Sequence, residues 1–266
     1  MQKIHLALSA IALVMPAAVS GQTVDEAPIC TDRPAKANAT CTVPPGALQL
    51  ETGITSWSLT ETGSTRTTAT TFGGTTIKLG LTSRSDLQIG VVPLVGIRTE
   101  VSGTIERALG FGDVTVRYKH RLTPSDSRIQ VGLIPFVKLP TAKRGIGNDE
   151  VEGGVAVPIL VSTDTPYSIV FGPEVDILAD GDGAGHHLQL VNLVNVSRPL
   201  SPRLTVVGEL WAATNFVPAD RTTAASADAA LALALSRTLQ VDLGANFGLS
   251  GPAPRVEVYA GASVRF

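Results

Sequence analysis

The chain has 266 residues, a formal net charge of −2 and only 17% charged residues, with a mean hydropathy of +0.23. That balance gives no argument for nucleic-acid binding. Beyond the first 20 residues, no stretch reaches the roughly 18 continuous apolar residues of a membrane helix, so a membrane location would require strands.

Residues 1–20 read as a secretory signal peptide. Lys3 precedes an apolar run from Ile4 to Val14, and Ala18-Val19-Ser20 fits the small-x-small cleavage rule. The run is too short to span a bilayer. Residues 21–46, rich in Pro, Ala and Thr, read as a periplasmic extension lying outside the barrel described below. Its cysteines, Cys30 and Cys41, are expected to pair in an exported chain. Closing so short a loop stabilises by roughly 2–3 kcal/mol. Only Asp32 lies close enough to complete a metal site there, so no metal and no cofactor are expected.

Residues 47–266 repeat one theme, alternation followed by a connection. Strands are expected over 47–59, 70–82, 86–97, 113–122, 128–139, 150–162, 167–178, 187–198, 203–214, 226–235, 239–249 and 255–266. Each has about the 9–11 residues that carry a tilted strand across a bilayer, and their number is even. Connections 83–85, 123–127, 163–166, 199–202 and 236–238 are short and built from turn residues. Connections 60–69, 98–112, 140–149, 179–186, 215–225 and 250–254 are mostly longer. Short turns at one end and long loops at the other predict an all-β fold, a closed antiparallel up-and-down transmembrane β-barrel of about 12 strands in the outer membrane of a Gram-negative bacterium. A soluble sandwich would have no reason to alternate its loop lengths.

The last strand shows the pattern most clearly. Val256, Val258, Ala260, Ala262, Val264 and Phe266 share one face; Arg255, Glu257, Tyr259, Gly261, Ser263 and Arg265 share the other. This strand, ending on Phe266, is the expected signal for the barrel-assembly machinery. A charge facing lipid at mid-depth costs roughly 2–4 kcal/mol, so the polar faces are assigned to the lumen and the apolar faces to outer-membrane lipid. The lumen is then lined by Arg117, Lys119, Arg121, Lys138, Glu150, Glu152, Glu174, Asp176, Glu209 and Trp211. Strand direction puts Glu150, Glu152, Glu174, Asp176 and Lys138 near the outer mouth. Arg117, Lys119 and Arg121 descend inward, predicting an acidic mouth above a basic inner half. Glu51 and Arg265 are placed to pair across the seam. The strand around Asn192 alternates poorly and suggests a bulge. Twelve strands lie between filled and open barrels, so an open pore and a plugged lumen both stand at this point.

An enzyme of the outer leaflet would need a nucleophile and a base in one place. His120 falls at the inner end. His186 and His187 lie beside Asp180 and Asp182, but no serine is spaced to serve with them. The same stretch lacks the closing Glu of a calcium loop. No enzyme is expected.

Three strings carry a family likeness: ICTDRPAKANATCTVPPGALQLETG (29–53), GFGDVTVRYKHRL (110–122) and PFVKLPTAKRGIGNDEVEGGVAVP (135–158). Together they resemble the transporter-like outer-membrane proteins of the MetA-pathway-of-phenol-degradation family. The resemblance implies a barrel and passage of small aromatic or other hydrophobic compounds. It brings no catalytic residues with it.

Overall fold

The structure, a computed structural model, describes residues 28–181, 185–217 and 221–266. The expected signal peptide and Asp182 lie outside the described residues. Alternating apolar and polar side chains produce sixteen strands: β1 (Leu48–Thr62), β2 (Thr65–Thr82), β3 (Ser85–Val91), β4 (Leu94–Val101), β5 (Thr104–Gly110), β6 (Val114–Arg121), β7 (Ile129–Leu139), β8 (Glu152–Ala156), β9 (Ile159–Ser162), β10 (Ser168–Phe171), β11 (Glu174–Ala179), β12 (His186–Pro199), β13 (Leu204–Asn215), β14 (Thr222–Ala234), β15 (Leu239–Gly248) and β16 (Val256–Arg265).

These make twelve staves, because β3 continues into β4, β5 into β6, β8 into β9 and β10 into β11. All pairings are antiparallel, and β1 pairs with both β2 and β16, which closes the ring. Closure removes the strand edges that lipid could not satisfy. Outward residues such as Leu231, Leu233, Leu243, Phe247 and Val258 are exposed in the isolated chain and form the lipid-facing belt. The inward row instead holds buried Gln49, Lys78, Asp86, Gln88 and Ser263. The expected twelve-strand closed barrel is therefore the observed one.

Three of the four breaks within staves have a common cause; the fourth, at Phe111–Asp113 between β5 and β6, has no proline. Proline has no N–H for the ladder. Pro93 separates β3 from β4, Pro158 separates β8 from β9, and Pro173 separates β10 from β11. Pro135 lies inside β7, where the rungs to β6 are missing between Arg117↔Phe136 and His120↔Leu133. Register survives each break. Between Glu174↔Ala156 and Phe171↔Ile159, two residues stand on either side, so inward and outward faces carry through.

Three expectations need correction. Connections 60–69 and 98–112 are not loops. β1 and β2 run on to a tight turn at Gly63, and β4 and β5 form a second hairpin. Threonine-rich 65–71 favours extended chain, and the 18 residues of β2 rise by about 60 Å. Asn192 sits in unbroken alternation, outward and exposed, with no register shift in β12. At the seam, Arg265 stands opposite Gln49, whereas Glu51 stands opposite Ser263, and Glu51 takes its salt bridge from Lys78.

Candidate functional site, a plugged lumen

The segment expected outside the barrel packs inside it. Residues 28–45 fill the end of the lumen where β1 begins and β16 ends, and they bond to β1–β3, β6, β7 and β13–β16. The Cys30–Cys41 disulfide, which the sequence predicts, closes this segment into a loop.

Ion pairs hold the plug. Asp32 accepts from Lys78 Nζ at 2.5 Å and from Lys119 Nζ at 2.7 Å. Burial alone would raise the Asp32 carboxyl, but Lys119 and Lys78 hold it well below the ordinary carboxylate range. Arg33 donates to both carboxylate oxygens of Asp242, at 3.0 and 2.6 Å. This fork is the stronger kind of charged hydrogen bond. It lies flat on β16 because position 261 is glycine; a Cβ there would meet the guanidinium at 2.1 Å. Lys36 Nζ donates to Asp228 at 2.5 Å and to Ser226 at 3.1 Å, and stands 5.3 Å from the Trp211 ring centroid.

Polar contacts complete the fit. Glu209 accepts the backbone N–H groups of Lys36 and Ala37 at 3.1 and 3.0 Å. Asn38 accepts from Arg117 at 2.5 Å, Thr40 donates to Gln130 at 3.1 Å, and the Val43 N–H donates to Asp86 at 3.0 Å. At Gly80 the plug passes so close that a Cβ would stand 1.8 Å from the Pro44 carbonyl oxygen. Buried charges need such partners. Stripping one partner from a buried pair costs roughly 3–5 kcal/mol.

The predicted lumen residues fall into two groups. Arg117, Lys119, Glu209 and Trp211 meet the plug. Arg121 donates to the Ser83 carbonyl at 2.9 Å beside it. Lys138, Glu152, Glu174 and Asp176 lie above. Lys138 reaches Asp113 at 3.3 Å and Glu152 at 3.1 Å, and Glu152 accepts the Ala179 N–H at 3.1 Å. Glu150 stands in the loop before β8, its N–H donating to Asn148 at 3.4 Å. The inner half is not simply basic. Glu51, Asp86, Asp242 and the plug's Asp32 are interleaved with Lys78, Lys119 and Arg265.

Sequence reading missed the plug cations Arg33 and Lys36 and the wall carboxylates Asp228 and Asp242 as partners. The available signal was a polar lumen face with several buried-type charges and no counter-charges on neighbouring strands. His187 Nδ1 lies 2.7 Å from Asp180 and its Nε2 3.2 Å from Asn215, so both ring nitrogens meet polar side chains rather than a serine.

Above the plug the lumen divides into two chambers that share Lys36. One, of about 240 Å³, is walled by Ala156, Pro158, Val191, Leu193 and Trp211, with Glu174 at its side. The other, of about 290 Å³, is lined by Thr55, Ser56, Thr71, Asn246, Glu257 and Tyr259. Both have mixed lining, and the indole of Trp211 belongs to the first.

The fold is shared with solved outer-membrane barrels. The chain is similar to a COG4313 outer membrane channel from Pseudomonas putida F1, with 13% identity over 88% of this chain and 100% of that one, at a TM-score of 0.69. It is also similar to the translocator domain of the autotransporter NalP from Neisseria meningitidis, with 13% identity over 83% and 88% of the two chains, at a TM-score of 0.53. The NanC porin gives 10% identity over 82% and 98%, also at 0.53. At these identities the likeness shows the fold. No curated protein matches the sequence. Residues 31–266, the plug and the whole barrel, match the family described as the MetA-pathway of phenol degradation, and the chain belongs to that family.

Proposed function

We propose that this protein is an outer-membrane channel for small hydrophobic or one-ring aromatic solutes, held closed at rest by residues 28–45. The observation that carries the reading is the first chamber, where Ala156, Val191, Leu193 and the Trp211 indole give a mainly polar lumen an amphipathic pocket, alongside Lys36, Glu174 and Gln189. A wide aqueous pore would have no use for such lining. The family's description, phenol degradation, supports the same solute class. Pro158 and Gly172 bound the same chamber where the wall ladder is interrupted. A solute there has a weakened wall beside it as well as the plug below it.

A permanently plugged barrel with a structural or ligand-binding role is the second reading. Its support is the ring of buried ion pairs around the plug. Solute entry into proteoliposomes separates the two. The channel reading expects phenol-sized aromatic alcohols to enter faster than glucose, and both faster than in protein-free liposomes. Equal rates with and without protein would leave the plugged barrel.

A further inference from the structure

The first chamber is not charge-neutral. Of the cations near its floor, Lys36 is paired and Arg117 is hydrogen-bonded to a neutral amide. Lys36 is held by Asp228 and Ser226, outside the chamber lining, and Arg117 donates to Asn38. Glu174 has no ion pair within 4 Å among the described residues, and Arg117 is the cation that acts on it at longer range. Asp176 stands two residues along the same inward face of β11, 5% exposed, with its Oδ1 lacking a hydrogen-bond partner. Around this corner, Lys138 matches Asp113 and Glu152, whereas Glu174 and Asp176 have each other as hydrogen-bond partner, which leaves the acidic pair without a close cation. Hydrogen-bond acceptors also prevail. Gln189 donates one amide N–H to Asn215 at 2.9 Å and keeps its carbonyl as an acceptor at the chamber wall.

From this we infer that the chamber bounded by Glu174, Gln189, Leu193 and Trp211 is a binding site for small amphipathic cations, a protonated amine on a one-ring or short aliphatic body. The ammonium group donates to Glu174 and to the Gln189 carbonyl. The apolar body lies against Val191, Leu193, Ala156 and the indole. A carboxylate of the same shape is repelled, and a neutral alcohol meets the acceptors without the charge. The site rests on the passage reading in one respect, that solutes reach the upper lumen. Equilibrium binding to detergent-refolded protein reads the site without requiring transport, so flux can fail while binding succeeds, and the reverse.

The test uses a charge series on one shape: 2-phenylethylammonium, 2-phenylethanol and phenylacetate. The chain has two tryptophans. Trp57 faces outward on β1, across from Val258 of β16. Trp57→Phe therefore leaves Trp211 as the sole indole reporter. The expected result is a saturable Trp211 fluorescence change with 2-phenylethylammonium, at least about tenfold weaker binding of the alcohol, and none of phenylacetate. Glu174→Gln should lower ammonium affinity about tenfold and erase its advantage over the alcohol, in protein whose heat-modifiable band is unchanged. Equal binding of all three probes, no saturable signal from any of them, or ammonium affinity unmoved in Glu174→Gln would each overturn the inference.

Discussion

The two halves of the barrel wall are built differently. From β12 through β16 to β1 and β2, the strands run 10 to 18 residues, and the one proline among them is Pro199, at the end of β12. From β3 to β11 the strands are 4 to 11 residues, and Pro93, Pro135, Pro158 and Pro173 cut the ladder near mid-wall. In lipid each unsatisfied backbone group is costly, so one contiguous half gives up stability that the other keeps. Both halves contribute to the contents of the lumen, with different residues. The continuous half supplies Glu209, Asp228 and Asp242, which grip the plug's cationic side. The interrupted half supplies Ala156, Pro158, Gly172 and Glu174 to the amphipathic chamber. The interrupted half also holds the plug's Asp32 through Lys119 and its Asn38 through Arg117, and the continuous half lends Val191, Leu193 and Trp211 to the chamber.

Breaking the contrast in the continuous wall should have the largest effect. Leu210→Pro puts into β13 the chemistry that Pro158 carries natively between β8 and β9. It should cost several kcal/mol and prevent refolding to the heat-modifiable form. Next is the grip itself. Asp242→Ala leaves the Arg33 guanidinium without its fork, at a cost to plug docking of roughly 3–5 kcal/mol, and trypsin should then cleave after Lys36 in refolded protein that is otherwise resistant.

Repairing the interrupted wall should have a smaller, opposite effect. Pro158→Val restores an N–H facing β7 and should stabilise the barrel by about 1 kcal/mol, read as a higher temperature for loss of the heat-modifiable band. If solutes leave sideways through this wall, the same variant also slows aromatic entry into liposomes. The smallest effect is with acid. Because the Asp32 carboxyl is depressed in the docked plug, its contribution is complete above the ordinary aspartate value near pH ~3.9 and is lost only as pH falls toward the depressed value. Resting conductance should therefore not change through Asp32 between pH 8 and pH 5 (about the range in which outer-membrane proteins are assayed). A rise in conductance as pH falls from 8 to 5, abolished in Asp32→Asn, would contradict this.

Much of the wall was legible because alternation is a local property. Val256 to Phe266 declare their faces without help from any other strand, and the inward assignment of Lys119, Glu209 and Trp211 follows from parity alone. The plug was not legible because its evidence is a set of long-range pairs. Arg33 meets Asp242 across 209 positions, and a Pro- and Ala-rich segment looks like any solvated extension until its counter-charges are known. The hairpin β4–β5 was missed for a different reason. Its exposed polar residues read as a loop, although Ile97, Thr99 and Val101 alternate as a strand does. The prolines were visible throughout. What they do depends on having neighbours on both sides, which is a property of closure and not of any one segment.

The central claim is that residues 28–45 close the lumen through ion pairs with the barrel wall, those of Asp228 and Asp242 among them. Single-channel conductance in planar bilayers tests it most directly, comparing the native chain with the double variant Arg33→Ala/Lys36→Ala. Both should refold with the same heat-modifiable shift. The account predicts small or absent steps for the native chain and discrete, several-fold larger steps for the variant, because Asp242 and Asp228 no longer hold the plug. Large, identical steps from both proteins would contradict it, since the plug would then be no barrier.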